Sequence, residues 1–317
     1  MISKSNKDTF LIVDGHALIY RAFHAFPILT SPKGEMVNAL YGFLRVFLST
    51  IKEVQPKYLA VAFDSVGPTK RKQVYEAYKA NRKEMPDELK PQIPLIKEAI
   101  QKMNIPTFEM TGIEADDLIG TITKHTTQMD DVYTLILTGD KDSFQLVDNN
   151  VHIYLTQLGF AGNRKTISSV FSAQEVEEKM SVKADQIIDL KALAGDQSDN
   201  IPGVRGIGNT TAIRLLQQYG DLDSIYKTVD EGDLTKEPLL KGNVLAKLQQ
   251  GREDAYLSRQ LATIDREVEL DFKLDCCATC VYDSAEIAAF LKNYNFNSLL
   301  KMLPADEFET GIQDGLF

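Results

Sequence analysis

The chain has 317 residues, 44% of them hydrophobic and 25% charged, and a formal net charge of −10. This length is about twice the ~150 residues of a typical domain, so we expect one large or two modest globular domains. The composition excludes disordered, collagen-like and coiled-coil chains, and no apolar run is long enough to span a membrane.

The amino terminus and the cysteines predict a cytoplasmic protein. The first apolar run, residues 10–13, is ended by Asp14 and His16, which argues against a signal peptide. Three cysteines, at 276, 277 and 280, form no disulfide framework, and no histidine lies near them. A structural role for these cysteines is therefore favoured over a zinc site.

The first 160 residues alternate apolar runs with helical periods. Apolar runs predict strands at residues 9–14, 58–64, 107–110, 133–137 and 151–155. Helical spacing predicts helices over residues 36–51, around 93–100 and over 114–127. Strands buried on both faces and separated by helices predict an α/β fold with a mostly parallel sheet and helices on both faces.

Beyond about residue 170 the pattern becomes helical. It predicts helices over 184–193 and 209–219, with Asn209 as the N-cap, a turn at 195–202, a glycine hairpin at 203–208 and one strand near 266–272. We therefore expect an α/β domain at 1–175 that includes a basic region at about 70–100. A helical domain at 176–303 and an acidic tail or linker at 304–317 follow it.

Nine carboxylates occupy unusual settings at strand ends, at a helix start and around a turn. They are Asp14, Asp64, Glu114, Asp116, Asp117, Asp140, Asp142, Asp196 and Asp199. Any one group could be ordinary, because acids often complement a helix dipole or a solvated turn. Three of the predicted strands end in an aspartate, however, and parallel strands bring such ends to one edge of the sheet. Like charges gathered there would repel each other without a cation between them.

The chemistry of these groups predicts a metal site. Oxygen ligands with almost no histidine or cysteine select Mg²⁺ or Mn²⁺. Two such ions ~4 Å apart would stabilise the attacking and leaving oxygens of a phosphoryl displacement. No Ser-His-Asp or Cys-His pair supports a covalent mechanism, and for His16 we favour packing or a local hydrogen bond.

Six ordered segments resemble the 5′-nuclease domains of the flap endonuclease family, including that of bacterial DNA polymerase I. They are VDGHALIYRAFHA (13–25), FD (63–64), YKANR (78–82), GIEADDLIGT (112–121), LTGDKDSFQL (137–146) and GDQSDNIPGVRGIGNTTA (195–212). The resemblance covers residues 9 to 300 and implies a PIN-like nuclease fold. It also implies that all nine carboxylates are metal ligands, with Asp142, Asp196 and Asp199 toward a second ion.

Two regions are candidates for holding DNA. Residues 70–83 carry a net charge of +5 with Tyr75 and Tyr78 interleaved, a pattern typical of a single-strand platform. The resemblance places this region in a gateway over the active site, where Tyr78, Lys79 and Arg82 would orient the scissile phosphate. The glycine hairpin would offer N–H groups to a phosphate. It resembles the family's helix–hairpin–helix clamp, where K⁺ often binds. The remaining DNA-binding candidates are Arg21, Arg71, Lys83, Gly203, Arg205, Gly206, Gly208 and Arg214.

These observations predict a metal-dependent 5′–3′ exonuclease and flap endonuclease. It would act as a monomer on DNA flaps, nicks and 5′ overhangs, some of them RNA-primed, in replication and repair. A non-catalytic DNA-structure-binding module with the same fold is the alternative. A phosphatase of another α/β family would need a nucleophilic Asp-x-Asp on the first strand, where this chain has Asp14-Gly15-His16. A free protein and one fused to or cooperating with a DNA polymerase both stay open.

Overall fold

The computed structural model describes residues 7–65, 67–158, 166–279 and 284–303. Six strands form one sheet in the order β3-β2-β1-β4-β5-β6. The strands are β1 (Asp8–Asp14), β2 (Tyr58–Ala62), β3 (Thr107–Phe108), β4 (Val132–Leu137), β5 (Val151–Leu158) and β6 (Thr166–Phe171). The predicted acidic tail at 304–317 and Cys280 lie outside the described residues.

Helices cover both faces of the sheet and form most of the chain after β6. The first five are α1 (Gly15–Ala25), α2 (Asn38–Val54), α3 (Lys70–Val74), α4 (Gln92–Lys102) and α5 (Ala115–Thr127). The next five are α6 (Ala173–Met180), α7 (Ile187–Ala194), α8 (Asn209–Tyr219), α9 (Leu222–Glu231) and α10 (Gly242–Gln250). The last three are α11 (Arg252–Ala262), α12 (Ser284–Asn293) and α13 (Asn297–Leu300).

The predicted α/β fold class is confirmed, and the central strand β1 shows its physical basis. Phe10 and Ile12 pack into the hydrophobic cluster on one face of the sheet, and Leu11 and Val13 pack into the cluster on the other. The four side chains are fully buried, as expected for a strand covered by helices on both sides. Pairing is parallel from β3 to β5, whereas β6, which the sequence did not predict, is antiparallel to β5.

Strand register determines which groups meet at one edge of the sheet. Val13 of β1 lies opposite Val61 of β2 and Leu137 of β4. Asp14, the last residue of β1, therefore emerges at the same edge as Asp64 and Asp140, which follow β2 and β4. The predicted convergence of the strand ends depends on this register.

The domain division differs from the predicted one at the carboxyl end. Residues 176–303 were expected to form one helical domain, but α12 and α13 pack against α4 and α2 of the α/β region. The hydroxyl groups of Tyr41 and Ser298, 2.9 Å apart, share a hydrogen bond at this contact. A single hydrophobic cluster also joins the sheet to α7, α8 and α9. The α/β region and the helical region therefore share a core.

Two local predictions were wrong. The residues near 266–272 form no strand; they are extended chain that crosses α5, where the Val268 N–H donates to the Thr121 hydroxyl. The apolar alternation there serves packing against the core, with Val268, Leu270 and Phe272 in the same cluster. Asn209 is the first residue of α8, and Gly208 is its N-cap.

Within the described ranges, no helix has both the length and the apolar character needed to cross a bilayer.

Candidate metal centre and nucleic-acid interface

The edge defined by β1, β2 and β4 carries three carboxylates held by local hydrogen bonds. Asp14 caps α1, accepting the Ala17 N–H at 3.0 Å, and it also accepts the Thr138 hydroxyl at 2.9 Å. Asp64 accepts the Ala115 N–H at 2.8 Å, which ties the end of β2 to the start of α5. Asp140 accepts the Asp142 N–H at 2.9 Å. The fold thus directs these side chains to one rim.

His16 belongs to the scaffold of this rim. Its Nδ1 accepts the backbone N–H of Asp64 at 2.9 Å, and its ring lies edge-on to Phe63. Burial lowers the pKa of His16, which favours the neutral imidazole that can accept this bond. The prediction of packing or a local hydrogen bond is thus met by packing against Phe63, whereas the hydrogen bond joins residues 48 positions apart.

Asp116 completes the rim from the first turn of α5. Its Oδ1 is buried without a hydrogen-bond partner, as is Oε1 of Glu114. Burial, together with the charges of Asp14, Asp140 and Asp64, raises the pKa of Asp116 well above its usual range. Burial likewise raises the pKa of Asp14 to about 7, with contributions from Asp64 and Asp140. The four groups are therefore electrostatically coupled; we call Asp14, Asp64, Asp116 and Asp140 the strand-end cluster.

The strand-end cluster fits a hard divalent cation. Its donors are carboxylate oxygens, one of them buried and unbonded. Among the described residues, Asp14, Asp116 and Asp140 form no ion pair with Lys or Arg. No group of three or more acidic, His or Cys side chains in the described part of the chain converges closely enough to be a preformed ligand set.

A second group of acids is neutralised by cations of the protein itself. Lys79 Nζ donates to Glu114 Oε2 at 2.7 Å and lies 3.7 Å from Asp199 Oδ2, while Arg82 pairs with the other oxygen of Asp199. Tyr78 donates its hydroxyl to the same two acids, at 3.3 and 3.2 Å. Burial would raise the pKa of Glu114, but Lys79 and Arg71 hold it below its usual value.

Lys191 plays the same role for Asp142 and Asp196. Its ammonium donates to Asp142 and, at 2.7 Å, to Asp196 Oδ2. The pKa of Asp142 rises to about 6 through burial and the charge of Asp140. Burial also opposes ionisation of Asp196, yet Lys191 lowers its pKa to about 2. We call Glu114, Asp142, Asp196 and Asp199 the paired cluster.

Sequence reasoning missed Lys191, although a signal was available. It is the one basic residue in the otherwise largely apolar helix α7, whose sequence is IIDLKALA. A lysine on such a helix, four residues before a glycine turn rich in acids, is a candidate partner for those acids. Its side chain is only 13% exposed, consistent with a fixed counter-ion.

Two predicted roles do not match the observed positions. Tyr78 is only 4% exposed, so its ring has no free face on which a DNA base could stack. Tyr78 therefore does not contribute a stacking surface to the single-strand platform predicted at residues 70–83. Asp117 and Arg71 form a bidentate ion pair with each other, at 2.6 and 2.9 Å.

The turn that carries Lys79 is fixed by backbone contacts. The Lys79 N–H donates to the Asp199 carbonyl at 2.9 Å, and the Asn200 side chain donates to the Ala77 carbonyl at 2.7 Å. Lys79 itself adopts a left-handed conformation, with φ of 56°. Such a conformation is uncommon for a residue with a side chain and persists where the surroundings enforce it. The ammonium is thus held over the rim by the fold.

The predicted glycine hairpin is present between α7 and α8. Gly203 has φ of 62°, and an added Cβ would lie 2.2 Å from the Gly195 nitrogen, so no side chain fits there. Gly206 has φ of 84°, and its carbonyl accepts a hydrogen bond from Lys247 at 2.8 Å. Gly208 is exposed at the start of α8.

A cleft of about 1090 Å³ connects the hairpin to the rim. Its lining includes Arg21, Asp140, Asp142, Lys191 and Gly208. The remaining predicted DNA contacts, Lys83, Arg205 and Arg214, are exposed. The cleft therefore joins carboxylates at one end to a helix N-terminus at the other, an arrangement suited to a phosphate backbone.

Comparisons with known proteins agree along most of the chain. The family model of the 5′-3′ exonuclease N-terminal resolvase-like domain matches residues 9–181, and that of the 5′-3′ exonuclease C-terminal SAM fold matches residues 182–285. The DNA polymerase I of Caldicellulosiruptor bescii is 41% identical over 299 residues, covering 94% of this chain and 34% of that protein. The DNA polymerase I of Chloroflexus aurantiacus is 40% identical over 301 residues, covering 93% and 31%. The chain spans about a third of the length of these curated relatives.

Solved structures share the fold at lower identity. A zinc-bound T5 5′-exonuclease superposes with a TM-score of 0.63 at 23% identity, covering 93% of this chain and 99% of that one. The catalytic core of Rad2 in complex with DNA substrate superposes with a TM-score of 0.62 at 18% identity, covering 95% and 93%.

Proposed function

The chain belongs to the 5′-3′ exonuclease family, and from this premise we propose that it is a divalent-metal-dependent 5′ nuclease. It would hydrolyse a DNA phosphodiester near a 5′ end, a flap junction or a nick. One observation carries the proposal: carboxylates that form no ion pair with Lys or Arg in the described part of the chain, among them the buried Asp14, adjoin a turn that presents Lys79 and Arg82. A phosphate group requires both features, acids for the metal and fixed cations for its own charge.

The metal would be held by the strand-end cluster, with Glu114 beside it. When bound, Mg²⁺ or Mn²⁺ would act as a Lewis acid and lower the pKa of a coordinated water. Asp142, Asp196 and Asp199 would serve a second ion, as the resemblance implies.

Lys79 and Arg82 would orient the scissile phosphate. Lys79 pairs with Glu114 and Arg82 pairs with Asp199. Because the Arg82 side chain is about half exposed, a phosphate would replace an acid partner without moving the backbone. Tyr78 would keep Glu114 and Asp199 in place through its hydroxyl rather than contact a base. The backbone contacts of the turn keep these groups within reach of the rim.

The duplex would be held through its backbone. Exposed N–H groups at the start of α8, with Arg205 and Arg214, would bind phosphates without reading sequence. Arg21 and Lys83 would extend this contact along the cleft and the gateway. Recognition would then depend on the shape of the DNA junction.

Several finer expectations stay predictions. They are K⁺ at the hairpin carbonyls, action on RNA-primed ends, a monomeric state, a cytoplasmic location and cooperation with a DNA polymerase. The polymerase relatives support the last of these, since this chain corresponds to about a third of each.

The proposal is tested by cleavage of a 5′-labelled flap, a nicked duplex and a single strand, with Mg²⁺ and with EDTA. Asp140→Asn should abolish cleavage. Asp131→Asn is the matched control, because exposed Asp131 lies just before β4, at the opposite edge of the sheet, and should leave cleavage unchanged. Full activity in EDTA would refute the metal role. Flap binding without cleavage by the unaltered chain would favour the non-catalytic module instead.

A further inference from the structure

The guanidinium of Arg71 joins three separate segments of the chain. It donates to both carboxylate oxygens of Asp117 on α5, at 2.6 and 2.9 Å. It also donates to the backbone carbonyls of Leu261 at 3.0 Å and Thr263 at 2.7 Å. These carbonyls belong to what we call the strap, residues 261–268, which comprise the end of α11 and the extended chain across α5. Arg71 itself lies in α3, at the base of the gateway region.

Asp117 accepts three hydrogen bonds. Besides the two bonds from Arg71, its Oδ1 accepts the Asp265 N–H of the strap at 2.8 Å. Its side chain is 8% exposed and that of Arg71 is 12% exposed. Neighbouring Asp116 differs sharply, because its Oδ1 is buried without a partner. Two adjacent aspartates therefore face different environments: both oxygens of Asp117 accept hydrogen bonds, whereas Oδ1 of Asp116 accepts none from the described residues.

The strap is held to α5 by further contacts that do not involve Arg71. The Thr121 hydroxyl accepts the Val268 N–H at 3.2 Å, and the Gly120 carbonyl accepts a bond from the Arg266 side chain at 3.3 Å. A Cβ on Gly120 would lie 2.5 Å from a methyl group of Ile264, so the strap lies close against the helix. Asp117 thus rests on a platform whose contacts with α5 do not depend on Arg71.

The Arg71–Asp117 pair also determines where the gateway approaches the rim. Arg71 Nη1 lies 3.4 Å from Glu114 Oε2, the oxygen that Lys79 contacts at 2.7 Å. Two cations eight residues apart in the chain therefore converge on one carboxylate. With Arg71 anchored, the turn at residues 78–82 is tethered at one end to the rim.

We propose that Asp117 and Arg71 are positioning residues: their buried pair anchors the gateway to α5 and the strap, and neither contacts the metal or the DNA. This inference rests on the proposed function for one point only, which is the role of the gateway in DNA cleavage. It reassigns Asp117 from the predicted metal ligands and Arg71 from the predicted DNA contacts.

The first test measures metal binding without DNA, so it does not depend on cleavage. Mn²⁺ binding to the full chain is followed by electron paramagnetic resonance for Asp117→Asn, Asp116→Asn and the unaltered protein. A positioning role predicts that Asp117→Asn keeps its Mn²⁺ affinity within about threefold, whereas Asp116→Asn loses at least about tenfold. An equal loss in both variants would make Asp117 a ligand and overturn the proposal.

The second test measures opening of the gateway by endoproteinase Glu-C, which cuts after the exposed Glu76 and Glu84. Breaking a buried ion pair should raise the rate of this cleavage at least about tenfold in Asp117→Asn and in Arg71→Met. The double variant should be cut no faster than the single ones, because both remove the same interaction. Lys72→Met, an exposed neighbour of Arg71, is the control and should leave the rate unchanged. Unchanged cleavage in the single variants, or additive effects in the double, would contradict the anchor.

A kinetic test separates anchoring from general damage. If the anchor acts through the gateway, Asp117→Asn should reduce flap cleavage at saturating Mn²⁺ without shifting the Mn²⁺ concentration at half-maximal activity. A shift of that midpoint by about tenfold would indicate lost ligation instead. Failure of the unaltered chain to cleave any flap would refute the proposed function but leave the metal-binding and proteolysis results interpretable.

Discussion

The strand-end cluster and the paired cluster contain the same kind of side chain in opposite electrostatic states. Asp14 is buried and Asp116 is half-buried beside other acids, and neither forms an ion pair with Lys or Arg in the described residues. By contrast, Glu114, Asp142, Asp196 and Asp199 pair with Lys79, Arg82 or Lys191. The first cluster gains most from a divalent cation, because its charges are uncompensated. The second is already neutralised, so an ion or a phosphate there must displace a lysine or an arginine.

Removing one charge from the strand-end cluster should produce the largest effect on activity. We expect Asp140→Asn to lower the rate of flap cleavage by about 10³-fold or more, since a metal ligand would be lost. Its fold, checked by circular dichroism, should be unchanged because one source of repulsion is removed. Residual cleavage within about tenfold of the unaltered protein would show that Asp140 does not hold the metal.

The cation of the gateway should matter next. Lys79→Met should reduce the cleavage rate by about 10²-fold, because a fixed charge near the scissile phosphate is lost. Single-turnover measurements at saturating Mg²⁺ would report the chemical step directly. An unchanged single-turnover rate with weaker flap binding would instead assign Lys79 to binding alone.

Removing the counter-ion of the paired cluster should make its acids behave like those of the strand-end cluster. In Lys191→Met, Asp142 and Asp196 would become uncompensated like the strand-end acids, so Mn²⁺ should bind there about tenfold more tightly. The metal-free protein should lose stability for the same reason. Calorimetric titration of DNA-free protein would measure the affinity, with Lys179→Met, which lines the same cleft, as the control. Equal Mn²⁺ affinity in both variants would show that Lys191 does not compete with the ion.

The smallest effect concerns stability in the absence of metal. The pKa of Asp14 rises from 3.8 to about 7 in the folded protein, so the folded state holds a proton that the unfolded chain releases between these values. The free energy of unfolding should therefore fall as the pH rises from about 4 to about 7. Asp14→Asn should remove this loss and stabilise the metal-free protein at pH 8 by about 1–3 kcal/mol. Urea unfolding at pH 4 and pH 8 would measure it, and a variant less stable than the original at pH 8 would contradict the assigned burial cost.

The sequence alone predicted the α/β architecture and the carboxylates of the site. Apolar runs such as residues 10–13 can form only strands covered on both faces, and parallel strands must end at one edge, so Asp14, Asp64 and Asp140 could be placed together without coordinates. The basic turn at 78–82 and the hairpin at 203–208 followed from charge, glycine spacing and family resemblance.

Whether each acid pairs with a cation or faces the rim depends on the tertiary structure. Asp116 and Asp117 are adjacent and chemically identical, yet Oδ1 of Asp116 has no hydrogen-bond partner among the described residues, whereas Asp117 is bound by Arg71 and the strap. Lys191 and Asp142 lie 49 residues apart, and the return of α12 and α13 to the sheet joins still more distant segments. Local sequence pattern determines which residues share a strand or a helix face, but the pairing of charges depends on long-range packing, which no short segment encodes.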